Sequence, residues 1–169
     1  PILLASLALM DATVESVQPL NAAGRSGVDI RFRLPGEGSK RAIYVSGDLS
    51  NGGFNSSYRN WLSSYSGGAA YFKAASYLMH DSGFSGIREW VLGNCRGVVQ
   101  DDSGIPYRSY VASQWNGRLY GSYSRPIKLF KERGQDALRE AYARQAQPLD
   151  SGIGYSHRPG TSNLQVFEK

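Results

Sequence analysis

The chain has 169 residues, 41% of them hydrophobic and 20% charged, with a formal charge of +5. That is enough apolar side chain to close an ordinary core, and it excludes intrinsic disorder. The 19 Lys and Arg residues are scattered, with Lys128, Lys131 and Arg133 the tightest group. No RNP motif, zinc-finger spacing or basic run accompanies them, so a nucleic-acid partner is not expected.

The opening run PILLASLALM reads as a buried first helix cut from a longer N-terminal region. It is too short to span a bilayer, which needs about 20 residues, and it lacks the basic flank of a complete signal peptide. Thr13 to Leu20 reads as a short strand. In Gly27 to Leu34 the apolar Val28, Ile30, Phe32 and Leu34 alternate with polar residues, the period of a strand. Pro35 to Gly38 is a turn, and Arg41 to Val45 returns as the second half of a hairpin.

After the turn-rich loop Ser46 to Asn55, Tyr58, Trp61, Leu62 and Tyr65 fall at helical spacing. Lys73 to His80 and Phe84 to Leu92 read as helices, with Ser82 or Ser85 as N-cap of the second. Gly97 to Gln100 is a short apolar strand. Tyr107 to Ala112 and Gly117 to Tyr123 are expected to pair as strands across the turn former Asn116-Gly117. Lys128 to Ala146 is the clearest helix, with Phe130, Ala137, Leu138, Ala141 and Tyr142 as its apolar stripe. Ile153 to Tyr155 and Asn163 to Phe167 are expected to form a last hairpin. The pattern predicts an α+β fold: antiparallel hairpins in a mixed sheet, three to five helices packed on it, and one domain over residues 1–169.

The chemistry concentrates in loops. Asp-Ser-Gly occurs three times, at Asp81 to Gly83, Asp102 to Gly104 and Asp150 to Gly152. The plain reading of each is a turn, since Asp and Ser bond to nearby amides and Gly tolerates positive φ. Two copies carry more: His80 precedes the first, and Gln100-Asp101 precede the second with Tyr107 and Arg108 just beyond. His80, Asp81, Ser82, Asp101, Asp102 and Ser103 together offer a base, its carboxylate orienter and a serine nucleophile. Asp101 and Asp102, or either with Glu89, could also serve as a glycosidase pair. None of the G-x-S-x-G, S-x-x-K or H-E-x-x-H signatures is present.

The loop around Asp48 and Asn51 offers oxygen donors of the kind calcium takes, but without EF-hand spacing. Cys95 stands alone, which excludes an internal disulfide, and it reads as a buried structural thiol. His157, with Tyr155 and Arg158, could line a cleft, although a solvated strand edge is the default.

The runs YFKAASYLMHDSGFSGIREWVLGNCRGVVQDDSGIPYRSY, LYGSYSRPI and PLDSGIGYSHRPGTSNL resemble the C-terminal half of an uncharacterised bacterial protein family, over roughly Val28 to Lys169. Ser151 stands where that family's pattern would put an aromatic residue. The resemblance implies a longer, exported protein, periplasmic or secreted, and carries no activity to any residue.

Three functions follow as expectations. The first is a hydrolase of a small ester or lactone, or of a glycosidic bond, with His80 as base, Asp102 as orienter or second acid, and Ser103 or Ser82 as nucleophile. Tyr107, Arg108 and Trp115 would then bind substrate. The second is a glycan- or protein-binding module presenting Trp61 and Trp115. The third is an accessory role in which a protein partner covers Leu3, Leu4 and Leu7.

Overall fold

Three strands of alternating sequence make an antiparallel sheet in the order β1-β2-β3, with β1 at Thr13–Ala22, β2 at Arg25–Arg33 and β3 at Ser39–Val45. The computed structural model describes residues 2–65, 68–72, 78–123, 133–149 and 161–169. Contacts group the chain into two compact units, residues 1–48 with 55–61 and residues 49–54 with 62–169.

In the first unit the expected hairpin between β2 and β3 is present, pairing Ile30 with Ala42 and Val28 with Tyr44. β1 reaches β2 through a two-residue turn in which Ala23 and Gly24 both take positive φ, 52° and 81°. The hairpin's outer face is charged. Arg41 forks onto Asp29, and the Ser39 hydroxyl and the Arg33 guanidinium hold Glu15 below the usual carboxylate range.

Helix α1 (Ile2–Leu9) forms as expected, but it is buried on one side only. Leu7 is enclosed, whereas Leu9 is 88% exposed and Leu4 and Met10 are also open. A helix that is apolar all round has no polar face to offer solvent, so packing one side leaves the other side's leucines in water. Helix α2 (Ser56–Ser63) begins in this unit, where Tyr58 stacks on Trp61 and lies under the Arg25 guanidinium.

The second unit is built on a four-stranded mixed sheet in the order β4-β5-β7-β6, made of Ala69–Phe72, Gly97–Gln100, Thr161–Glu168 and Asn116–Tyr123. β4 and β5 run parallel, and the other pairs are antiparallel. The α+β class is therefore as expected. Strand β4 is a finding that the residue pattern did not announce. The parallel pair is joined by a crossover that holds α3 (Ser85–Asn94), as parallel neighbours require.

Four expectations are corrected here. Residues Tyr107–Ala112 form a helix, α4, and not a strand. Pro106 opens it, and Tyr107, Tyr110 and Val111 recur at helical rather than alternating spacing. With no strand there, the Asn116-Gly117 hairpin does not exist: Gln114, at φ 56°, turns the chain into β6, whose partner is β7. Neither Ser82 nor Ser85 caps α3. The Asn51 side chain does, its Oδ1 accepting the Gly86 N–H at 2.9 Å. Finally, Leu78–His80 is a single 3-10 turn, while residues 73–77 lie outside the described residues.

The described part of the long helix, α5 (Arg133–Gln145), buries Leu138, Ala141 and Tyr142 against Leu119 and Tyr123 of β6. On the same sheet Tyr110 stacks on Phe167 with ring centres 3.7 Å apart. Phe130, residues 153–155, His157 and the third Asp-Ser-Gly fall outside the described residues.

Candidate functional site

β4 and β5 are parallel neighbours, so the segments that follow them leave the sheet at the same end. That end of a parallel pair is where open sheets place their ligands. His80 follows β4 and Asp101, Asp102 and Ser103 follow β5, so the topology brings together residues some 22 positions apart. Because β7 runs antiparallel to β5, its early residue Asn163 lies beyond the Gln100–Gln165 pair, at this same end. β6 is antiparallel to β7, which puts Tyr123 there as well.

The loop after β5 is a turn turned inward. The Asp101 carboxylate accepts the Ser103 N–H at 2.9 Å and the Ser103 hydroxyl, and the Gly104 N–H reaches the Asp101 carbonyl at 3.1 Å. These are the bonds of an ordinary Asp-Ser-Gly turn. Turns belong on the surface, yet every residue from Asp101 to Ile105 is buried. Gln100 explains how this is tolerated. Its side-chain amide donates to the Ile105 carbonyl at 2.8 Å and accepts the Ile105 N–H at 2.9 Å, closing the loop as a backbone partner would. Tyr110 Oη donates to the same Gln100 oxygen at 2.7 Å. Gly104 is required beside it: a Cβ there would lie 2.4 Å from Gln100 Oε1.

Asp102 occupies the centre of this end of the sheet. Its Oδ1 accepts the Asn163 Nδ2–H at 2.9 Å. Burial is the main cause lifting its carboxyl from 3.8 to about 6; the Asn163 bond opposes the rise and the neighbouring Asp101 adds to it. Burial also pushes the phenols of Tyr123 and Tyr142 up, with the Asp102 charge as the next cause for each. His80 Nε2 lies 3.2 Å from the Asp102 main-chain oxygen. A carbonyl can only accept, so Nε2 carries the hydrogen and Nδ1 is the basic nitrogen of the neutral ring. The Arg88 guanidinium holds the chain on either side of His80, donating to the carbonyls of Met79 and Asp81.

Of the residues singled out by sequence, His80, Asp101, Asp102 and Ser103 are brought together. Asp81 and Ser82 are exposed; the Asp81 carboxylate caps its own turn by accepting the Gly83 N–H at 2.7 Å. Ser103 is fully enclosed with its hydroxyl given to Asp101, which makes it part of the turn rather than an accessible nucleophile. Glu89 is exposed on α3. Trp115 is 7% exposed, edge-on to Tyr110 with Lys169 Nζ over its ring, so it offers no platform to a sugar. Asn51 spends its side-chain oxygen on α3, and Asp48 is exposed. Among the described residues no three His, Cys, Asp or Glu side chains gather as a metal site. Cys95 is buried, and burial pushes its thiol up, as expected of a structural cysteine.

Tyr107 and Arg108 line a cleft of about 450 Å³ along α4 and α5, together with Val111, Ala137, Glu140 and Arg144. Tyr107 also packs on the cluster that contains Tyr123 and Tyr142. Asn163, Gln165 and Arg88 are the site residues that sequence reasoning missed; it marks Gln100 only as a polar neighbour of Asp101. The available signal was polar residues inside short apolar strands, at Gln100 and in Asn163-Leu164-Gln165. No helix among the described residues is long and apolar enough to cross a membrane. Comparison of the chain with protein-family models, curated proteins and solved structures finds no match, so a functional reading has to stand on this geometry.

Proposed function

We propose that this protein is a hydrolase of small esters or lactones, with His80 as the base and Asp102 as its charged neighbour. The observation that carries the proposal is the meeting of the two at the carboxyl ends of β4 and β5, beside a carboxyl lifted to about 6. Buried acids that titrate near neutrality are enriched at sites of proton transfer.

In this reading water is the nucleophile, because Ser103 is committed to its turn. The water oxygen attacks the ester carbonyl carbon while its proton passes to His80 Nδ1, a buried nitrogen that substrate entry has to uncover. The bond between that carbon and the alkoxy oxygen then breaks, and the proton moves from His80 to the departing oxygen. An acid and an alcohol result, or a hydroxy acid from a lactone. The His80 Nε2 bond to the Asp102 carbonyl holds the tautomer, and the ionised Asp102 carboxylate favours the imidazolium that forms. Arg108 and Arg144, in the cleft that shares Tyr107 with the Asp102 surroundings, suit a substrate carrying a carbonyl or carboxylate oxygen.

The experiment is hydrolysis of a panel of chromogenic esters, lactones and glycosides by wild type, His80→Ala and Asp102→Asn. Loss of a base of this kind costs about 10²–10⁴-fold in rate, and turnover should rise with pH through about 6 as Asp102 ionises. Undiminished turnover in both variants, each folded, would sink the proposal. Hydrolysis confined to glycosides would transfer the reading to the sugar bond.

A further inference from the structure

Asp102 is reached by a directional chain of hydrogen bonds whose polarity is set by the backbone. Gln100 cannot be turned over: the Ile105 N–H can only donate and the Ile105 carbonyl can only accept, so its oxygen faces one and its nitrogen the other. Gln100 Nε2 also donates to Gln165 Oε1 at 3.0 Å. That leaves Gln165 Nε2 to donate to Asn163 Oδ1 at 3.4 Å. Asn163 must then present its nitrogen, and not its oxygen, to Asp102 Oδ1 at 2.9 Å. All four side chains are buried, Gln100, Gln165 and Asn163 at 1% exposure each. Buried chains of this kind polarise one another, so each amide's orientation depends on the one before.

We infer that Asn163 is the positioning residue of Asp102, and that the Ile105 backbone, acting through Gln100 and Gln165, fixes Asn163 as a hydrogen-bond donor to that carboxyl. The loop that carries Asp102 thus dictates, three hydrogen bonds away, the polarity of the group that meets Asp102. The function of a fixed donor is specific. An N–H favours the ionised acid and a carbonyl oxygen favours the protonated acid, so an Asn163 free to flip would follow the proton and blunt the carboxylate. This inference rests on the proposed role of Asp102 in proton transfer, but its test does not use turnover.

The test is NMR on the full chain, following the Asp102 side-chain carboxyl carbon and the Asn163 side-chain NH₂ through a pH titration. In wild type both should move with one midpoint, since the donor feels the charge it holds. Gln165→Met keeps the volume and removes the orienting bonds, and Asn163→Leu removes the donor itself. The Asp102 midpoint should rise in both, by about one pH unit in Asn163→Leu, in line with the strength of a hydrogen bond to a charged group. A wild-type Asn163 NH₂ that ignores the Asp102 titration overturns the inference without any variant. So does an unchanged midpoint in folded Gln165→Met. If Asn163→Leu fails to fold, these two measurements decide. A coupled titration in a protein that hydrolyses nothing removes the proposed activity and leaves the relay standing. Hydrolysis with an indifferent Asn163 does the reverse.

Discussion

Replacing Asp102 by Asn removes a titration from the interior while keeping the side chain's shape. Asp102 is 5% exposed, and its carboxyl is lifted from 3.8 to about 6, chiefly by burial. The folded chain therefore binds this proton more tightly than the unfolded chain. Its contribution to stability is greatest below about pH 4, declines as pH rises toward the folded value near 6, and stays at the lower level above it. A displacement of roughly two pH units corresponds to about 3 kcal/mol, a large part of the 5–15 kcal/mol that typically holds a domain together. Asn does not titrate, and its oxygen can still accept from Asn163. The unfolding free energy of Asp102→Asn minus that of wild type should therefore grow by about 2 kcal/mol between pH 4 and pH 7, whatever constant offset the amide introduces. Urea unfolding of both proteins in half-unit pH steps measures this directly. A difference that stays flat across the range would refute the reasoning, because Asp102 would then titrate alike in the folded and unfolded chains. A variant that is more stable at neutral pH and inactive would mark Asp102 as a residue kept for function at the expense of the fold.

Three further substitutions test the surroundings. Gly104→Ala forces a methyl group to within 2.4 Å of the Gln100 oxygen, and since that amide is anchored at both ends the loss should be about 1–3 kcal/mol by urea unfolding; wild-type stability would disprove the clamp. Asn51→Ala removes the side-chain cap on α3 and should cost about 1 kcal/mol, seen as a lower thermal midpoint that Asn51→Asp partly restores. Trp115→Ala should cost about 3–5 kcal/mol because its ring fills the space beside Tyr110; a variant of full stability that loses binding on a glycan array would instead support a surface platform.

The elements that could be read from sequence are those whose signal is local. Val28, Ile30 and Phe32 alternate with charges because one face of β2 meets solvent, and the turn at Pro35 to Gly38 closes the hairpin. Helix α5 shows its stripe for the same reason. β4 gave no such signal, since Ala69-Ala70-Tyr71-Phe72 has no polar alternation and its strand character comes from pairing with β5. α4 was misread because Asn116-Gly117 imitates a hairpin turn. Pro106 and the Tyr107, Tyr110, Val111 spacing were the better guide, and the ring of Tyr110 against Phe167 holds the helix in place.

At the candidate site, His80, Asp101, Asp102 and Ser103 were legible as residue types, but their meeting was not. It depends on β4 and β5 being parallel neighbours, which is a property of pairing and not of spacing. The polar chain was hidden for a related reason. In β7 the apolar pattern suggests that Leu164 and Val166 point inward, yet Asn163, Gln165 and Phe167 are the buried set. A strand covered on both faces loses the alternation that would reveal its register. Apolar side chains at Asn163 and Gln165 would pack without needing partners, whereas Gln100 is needed to close the Ile105 backbone, and each buried amide left unsatisfied costs about 1–3 kcal/mol. Closing the buried loop therefore accounts for Gln100, but it gives no reason for amides at Asn163 and Gln165. Their common feature is that they lead to one carboxyl, and in the proposed hydrolase, where that carboxyl gives up its proton near neutral pH, a donor that cannot turn away favours the ionised form.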